Sequence, residues 1–206
     1  MALQTFVKIN HVTNLTDARY CAGMMVDLLG FCLDPNSSNF ISPEHFKEIS
    51  GWVSGVEFVG EFSYEPSLDI LEVLKGYPEI KWIEYNRLAE LEELVNQGYS
   101  LIYKSDLKEI IHLEPEVSDL LSRLGMYLHI DAESTTLTES EIESIKDLTQ
   151  KCKVILGKGI NPENVLSITQ DLGLFGLSLD GGKEIKAGLR DFDQMAEVLE
   201  KLEIED

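Results

Sequence analysis

Eight times along the chain a short β-branched or apolar run gives way to a segment with helical spacing. The runs at 6–9, 28–33, 56–62, 80–85, 100–104, 127–131, 153–156 and 174–179 each lead into such a segment. These segments lie at 17–22, from Ser42, at 67–74, 88–97, 117–124, 140–150, 162–171 and 191–202. Two of the starts carry cap chemistry: Ser42 precedes Pro43 and Glu44, and Asn161 precedes Pro162. Such residues accept the free N–H groups of a first helical turn, while proline fits the first helical position. The stretch 105–116 between the fifth run and its helix has no clear period. Repeated strand–helix units fit an open doubly wound sheet or a closed (β/α)8 barrel, and the count of eight favours the barrel. No Pro/Gly/Ser-rich linker divides the sequence, so one α/β barrel domain over 1–206 is expected.

The 206 residues include 37 acidic and 17 basic side chains, a formal net charge of −20. That imbalance argues against nucleic acid and anionic membrane surfaces, both of which bind through clustered Lys and Arg. A hydrophobic content of 44% is too high for a disordered chain, and no apolar run approaches the roughly 18 residues of a membrane span. The first residues run straight into a strand pattern with no leader character, which with the cysteine usage points to the cytoplasm. Cys21, Cys32 and Cys152 are odd in number and set among apolar neighbours, as reduced thiols packed like small hydrophobes would be.

In a (β/α)8 barrel the chemistry sits at the C-terminal ends of the strands and in the loops after them. Gly157-Lys158-Gly159 after the seventh run and Asp180-Gly181-Gly182 after the eighth offer backbone N–H donors where barrels commonly hold phosphate. The same glycines also serve simply to turn the chain. Lys158 is either a point charge for a phosphate or a solvated loop lysine. Asp131 ends the sixth run, as a general acid or base or as an aspartate that orders its loop. Asn10 and His11 end the first run, and His11 is a proton carrier near neutral pH or a structural histidine. Asn39, Glu84 and Lys104 fall at the matching rim of the second, fourth and fifth units and are placed in a substrate pocket. His129 shares a face with Asp131, but no third ligand stands beside it, so neither a metal nor another cofactor is expected. There is no nucleophile elbow, Walker loop or Cys-x-x-Cys pair.

Several segments, in order, resemble one family. They are residues 7–18 (Val-Lys-Ile-Asn-His-Val-Thr-Asn-Leu-Thr-Asp-Ala), Leu29-Gly30-Phe31, Ile41-Ser42-Pro43-Glu44 and residues 159–165 (Gly-Ile-Asn-Pro-Glu-Asn-Val). Gly181-Gly182-Lys183-Glu184 and Gly188-Leu189-Arg190-Asp191 complete the set. Together they are similar to phosphoribosylanthranilate isomerase of tryptophan biosynthesis, over nearly the whole chain. The resemblance implies a (β/α)8 barrel that converts an N-glycosidic aminoaldose phosphate into its aminoketose, an Amadori rearrangement. It implies Asp131 as the general acid. At the family's general-base cysteine stands Asn10, whose amide takes no proton at neutral pH, which leaves His11 or a bound water as the substitute. At its carboxylate-binding arginine stands Asn39. The family's Gln-Leu-His-Gly run is replaced around Ile83-Glu84-Tyr85-Asn86-Arg87, one glycine of the strand-seven loop by Lys158, and Ser-Ser-Gly by Asp180-Gly181-Gly182. Its aspartate two residues before that last segment is Ser178. The expected ligand is a small phosphorylated sugar and the expected assembly a monomer or homodimer. The alternative is a non-catalytic or repurposed phosphosugar-binding barrel, acting as a sensor or interaction protein.

Overall fold

A computed structural model describes residues 2–63, 69–113, 115–131, 136–181, 183–186 and 189–204, with backbone only for residues 183–186 and 189–191. Eight parallel strands close into a barrel: β1 (Phe6–Asn10), β2 (Leu28–Cys32), β3 (Glu57–Glu61), β4 (Trp82–Tyr85), β5 (Ser100–Asp106), β6 (Tyr127–Asp131), β7 (Lys153–Leu156) and β8 (Gly176–Asp180). Closure runs through β1 and β8, in register from Phe6 opposite Gly176 to Asn10 opposite Asp180. The expected barrel is the observed one.

Around it lie α1 (Leu15–Gly23), α2 (Pro43–Ser50), α3 (Ile70–Leu74), α4 (Leu88–Glu93), α5 (Leu107–Leu113), α6 (Glu116–Leu124), α7 (Glu139–Thr149), α8 (Val165–Leu172) and α9 (Asp193–Leu202). Their starts follow local chemistry. Ser42 Oγ accepts the His45 N–H with Pro43 opening the helix, and Thr138 and Glu141 form a reciprocal capping box. Four expectations need correction. The fifth unit carries two helices, α5 and α6, because Leu107 and Ile110 bury a separate apolar face in the stretch without a clear period. Helix α8 starts three residues later than expected, because the Asn161 carboxamide instead accepts from the N–H groups of Glu163 and Asn164 in a preceding turn. Helix α4 ends at Glu93, ahead of Asn96 in a left-handed conformation. Between β8 and α9 lies an unforeseen antiparallel pair, β9 (Lys183–Lys186) and β10 (Leu189–Asp191). The expected start of the third helix at Ser67 falls outside the described residues.

Alternation along each strand divides the core. Outward residues such as Val7, Ile9, Leu29, Phe31, Ile83, Leu128 and Leu177 pack against the helices. Inward residues Leu28, Val59, Trp82, Ile102 and Ile155 fill the barrel floor, where Phe6, Tyr127 and Phe175 join Trp82 in tilted ring contacts. Gly176 is required at this end, since a Cβ there would lie 2.5 Å from the Phe6 carbonyl oxygen and 2.9 Å from its Cβ. Both obstacles belong to a neighbouring strand and its ring. Gly176→Ala is therefore expected to cost about 1–3 kcal/mol by overpacking, read as a lower denaturant midpoint with unchanged slope; an unchanged midpoint would refute this reading of the seam.

Candidate active site

Above the apolar floor the barrel interior turns polar. Lys8, two residues before Asn10 on the same face of β1, is fully buried. Its ammonium lies 2.6 Å from Glu61 Oε1 on β3 and 2.9 Å from Glu84 Oε2 on β4, and it donates to Asn10 Oδ1 at 2.5 Å. Burial alone would pull the Lys8 pKa down; the two carboxylates more than offset this and raise it. Burial likewise pushes the Glu84 carboxyl up, and the Lys8 charge and then His129 overcome it, so the group is held well below the usual carboxylate range. His129, on β6 and 1% exposed, places Nδ1 2.9 Å from Glu84 Oε2. Its Nε2 has no hydrogen-bond partner among the described residues and faces Gly157, where a Cβ would come within 2.6 Å of it. Gly30 on β2 plays the same part for Glu61, whose Oε1 lies 2.1 Å from where a Cβ would stand.

Asn10 is held from three sides. Its Oδ1 accepts from Lys8 Nζ and, at 2.7 Å, from Ser178 Oγ, while its Nδ2 donates to Asp180 Oδ1 at 3.2 Å. It is a fixed support at the end of β1, and its amide takes up no proton at neutral pH. His11 follows in a left-handed backbone conformation, φ +52°. Such a conformation costs a residue with a Cβ roughly 1–2 kcal/mol. Its N–H donates to Glu61 Oε2 at 3.1 Å, its Nε2 lies 3.8 Å from the same oxygen, and its Nδ1 lies 3.7 Å from Asp180 Oδ1. Contact with Asp180 raises the imidazole pKa, against burial and together with Glu61. Reciprocally, His11 draws the Asp180 carboxyl down to about 2.

Asp131 ends β6 with a cation on each oxygen: Lys158 Nζ 3.1 Å from Oδ1 and Lys104 Nζ 3.4 Å from Oδ2. Burial pushes its pKa up, but Lys104 and Lys158 together bring it below the ordinary aspartate value. Gly157, Lys158, Gly159, Asn161, Asp180 and Gly181 line a cavity of about 650 Å³ beside this pair. Gly159 has φ +79°, and its carbonyl accepts from Asn164 Nδ2 at 2.8 Å, which fixes the loop after β7.

The structure thus brings Asn10, His11 and Asp180 together at one side of the mouth, and Asp131, Lys104 and Lys158 at another. Glu84 lies beneath them rather than in an open pocket. Asn39 joins neither group; it sits partly buried in the loop after β2, where its N–H donates to Ser37 Oγ. Gly182 and the rim residue Glu133 fall outside the described residues. Of the thiols, Cys21 is buried in α1 and Cys32 stands opposite Glu61 at the mouth, its thiol pushed up by burial and so no ready base. Sequence reasoning missed Lys8, whose signal was faint: a lysine inside an apolar run at an inward position, its partner Glu61 being a rim residue after the third run, 53 residues away.

The model of one family, described as "N-(5'phosphoribosyl)anthranilate (PRA) isomerase", matches residues 7–201. The chain belongs to the phosphoribosylanthranilate isomerase family. The family enzyme of Aquifex aeolicus is 27% identical over 97% of this chain and 98% of its own length. The crystal structure of the Thermotoga maritima isomerase superposes with a TM-score of 0.78 at 23% identity, covering 96% of this chain and 98% of that one. A further phosphoribosylanthranilate isomerase structure, with TM-score 0.73 at 24% identity and the same coverage, is a complex with reduced 1-(o-carboxyphenylamino)-1-deoxyribulose 5-phosphate. Among the described residues of this family member, no helix is long and apolar enough to cross a membrane.

Proposed function

We propose that this barrel performs the family reaction, the Amadori rearrangement of N-(5'-phosphoribosyl)anthranilate, with Asp131 as general acid and His11 as general base in place of the cysteine. The reaction needs a proton delivered to the ring oxygen and another removed from the carbon next to the imine. Asp131 and His11 are ionisable groups at the C-terminal mouth, where barrel chemistry is done. The observation that carries the reading is the backbone of His11. An imidazole kept in a left-handed conformation between Asp180 and Glu61 is strain localised at a mouth residue, which is where function stores it. The N–H groups of Gly159 and Gly181 at the cavity, with Gly182 next in the chain, suit the phosphate; Gly157 shapes the turn, its own N–H being donated to the Ile130 carbonyl at 2.8 Å. Asn39, Glu84 and Lys104 complete the pocket, Glu84 from below as a support. The reading carries with it a cytoplasmic location, no cofactor and a monomeric or homodimeric assembly.

The test is turnover of freshly made N-(5'-phosphoribosyl)anthranilate, followed by loss of its fluorescence. The base must be unprotonated and the acid protonated; because Asp131 titrates below its ordinary value and His11 above its own, kcat/KM is expected to stay level through mildly acidic pH and to fall as pH rises through a midpoint above the ordinary imidazole value of about 6.5. His11→Ala is expected to lower kcat by about 10²-fold or more. Turnover unaffected by His11→Ala would remove histidine from the role. No turnover in the parent would favour the second reading, a phosphosugar-binding barrel without catalysis, to which the doubly ion-paired Asp131 also lends support.

A further inference from the structure

The two lysines on Asp131 are not equivalent. Lys104 projects from β5, within the barrel wall, and is 28% exposed at its side chain. Lys158 stands in the loop after β7, between Gly157 and Gly159, is 42% exposed and itself lines the 650 Å³ cavity. An anion in that cavity competes with Asp131 for the Lys158 ammonium, whose loop position lets it turn toward the cavity. A phosphate dianion there offers it twice the charge of a carboxylate that Lys104 already satisfies.

We propose that Lys158 is a positioning residue that exchanges partners, leaving Asp131 for the ligand's phosphate, so that capture of the phosphate end releases Asp131 for proton transfer at the other end. This rests on the phosphosugar reading above. Among the described residues, the charged and titratable groups around Asp131 are Lys104 from β5, Asp106 in register opposite it, His129 from its own strand and Lys158 from the β7 loop. Asp106 is engaged in its own turn, accepting from the Lys108 N–H at 2.7 Å, and His129 is committed through Nδ1 to Glu84. Lys158 is thus the one cation of the four groups placed on a loop that faces the ligand cavity. Without ligand it keeps the carboxyl ionised. Once it has left, burial acts against Lys104 and the smaller contribution of His129, and the carboxyl can hold a proton. A carboxylate too acidic to serve as a general acid in the empty barrel becomes competent when substrate arrives, which also protects the site from idle protonation.

The test is carboxyl ¹³C NMR of the full chain, with the Asp131 signal assigned through Asp131→Asn. The probe is sulfate, an analogue of phosphate that stays a dianion through the carboxyl titration range; backbone amide shifts of Gly157 and Gly159 report binding independently. Saturating sulfate is expected to raise the Asp131 midpoint by about one pH unit, the scale of one neighbouring charge. In Lys158→Met the midpoint should already be raised without sulfate and should not move further, while Lys158→Arg should restore the response. Amide shifts at Gly157 and Gly159 with an unmoved Asp131 midpoint would overturn the exchange while leaving the anion site standing. No amide shift with sulfate or inorganic phosphate at tens of millimolar would overturn the anion site, and the exchange with it.

Discussion

Lys8→Met is expected to destabilise the protein by about 3–5 kcal/mol, the usual cost of removing one partner from a buried ion pair. Lys8 is fully buried between Glu61 and Glu84, so methionine fills its volume and leaves two carboxylates facing each other without a cation. For a chain of this size that corresponds to a melting temperature lower by roughly 6–20 °C. The pH dependence adds a signature that simple loss of packing would lack. In the parent, Glu84 titrates below its unfolded value, so the stability it contributes is present above about pH 4.3 and is lost as pH falls through its folded pKa. Lys8 titrates above its unfolded value, so its contribution persists through neutrality and fades only on the alkaline side, above about pH 10. In Lys8→Met the acid limb should reverse: carboxyls buried without a cation titrate above their unfolded value, so the deficit shrinks as pH falls. Adding Glu61→Gln and Glu84→Gln should recover much of the loss at pH 7. Thermal melts at pH 4 and pH 7 decide the matter, and a single variant melting within 2 °C of the parent at pH 7 would mean that the network contributes little.

Asp131→Asn should lower kcat for the proposed isomerisation by about 10²–10⁴-fold, the range for loss of a positioned acid or base. Asparagine keeps the shape of aspartate but delivers no proton. The same change removes the negative charge shared by Lys104 and Lys158, 3.4 and 3.1 Å away, and leaves both free for an anion. KM should therefore stay level or fall while kcat collapses, a split that general damage to the barrel would not produce. Activity that survives Asp131→Asn would end the case for this aspartate as the acid.

The barrel was legible because its signal is periodic: eight apolar runs and eight helical segments repeat regardless of what any single residue does. The fourth, fifth and eighth helix positions were read less well where a local competitor decides. Asn161 looks like a helix cap but is taken up by a turn before α8, and β9 and β10 carry no apolar alternation to announce them. At the site, Asp131, Lys104 and Lys158 were each visible as residues following a strand, and the structure adds only that they touch. His129 was weighed only as a metal ligand, and its hydrogen-bond partner Glu84, 45 residues away across the barrel, could not be read from spacing. Lys8 was hidden more deeply. A lysine between Val7 and Ile9 reads as a solvated strand residue, and only closure of the sheet reveals that its face points inward onto two carboxylates.

The missing side chains at positions 30 and 157 also constrain the history of this barrel. Gly30 holds open the space that Glu61 fills, and Gly157 the space beside His129 Nε2. Even a methyl group at either position would push the Glu61 carboxylate or the His129 ring from its place, so residues 30 and 61, like 157 and 129, are expected to change as coupled pairs.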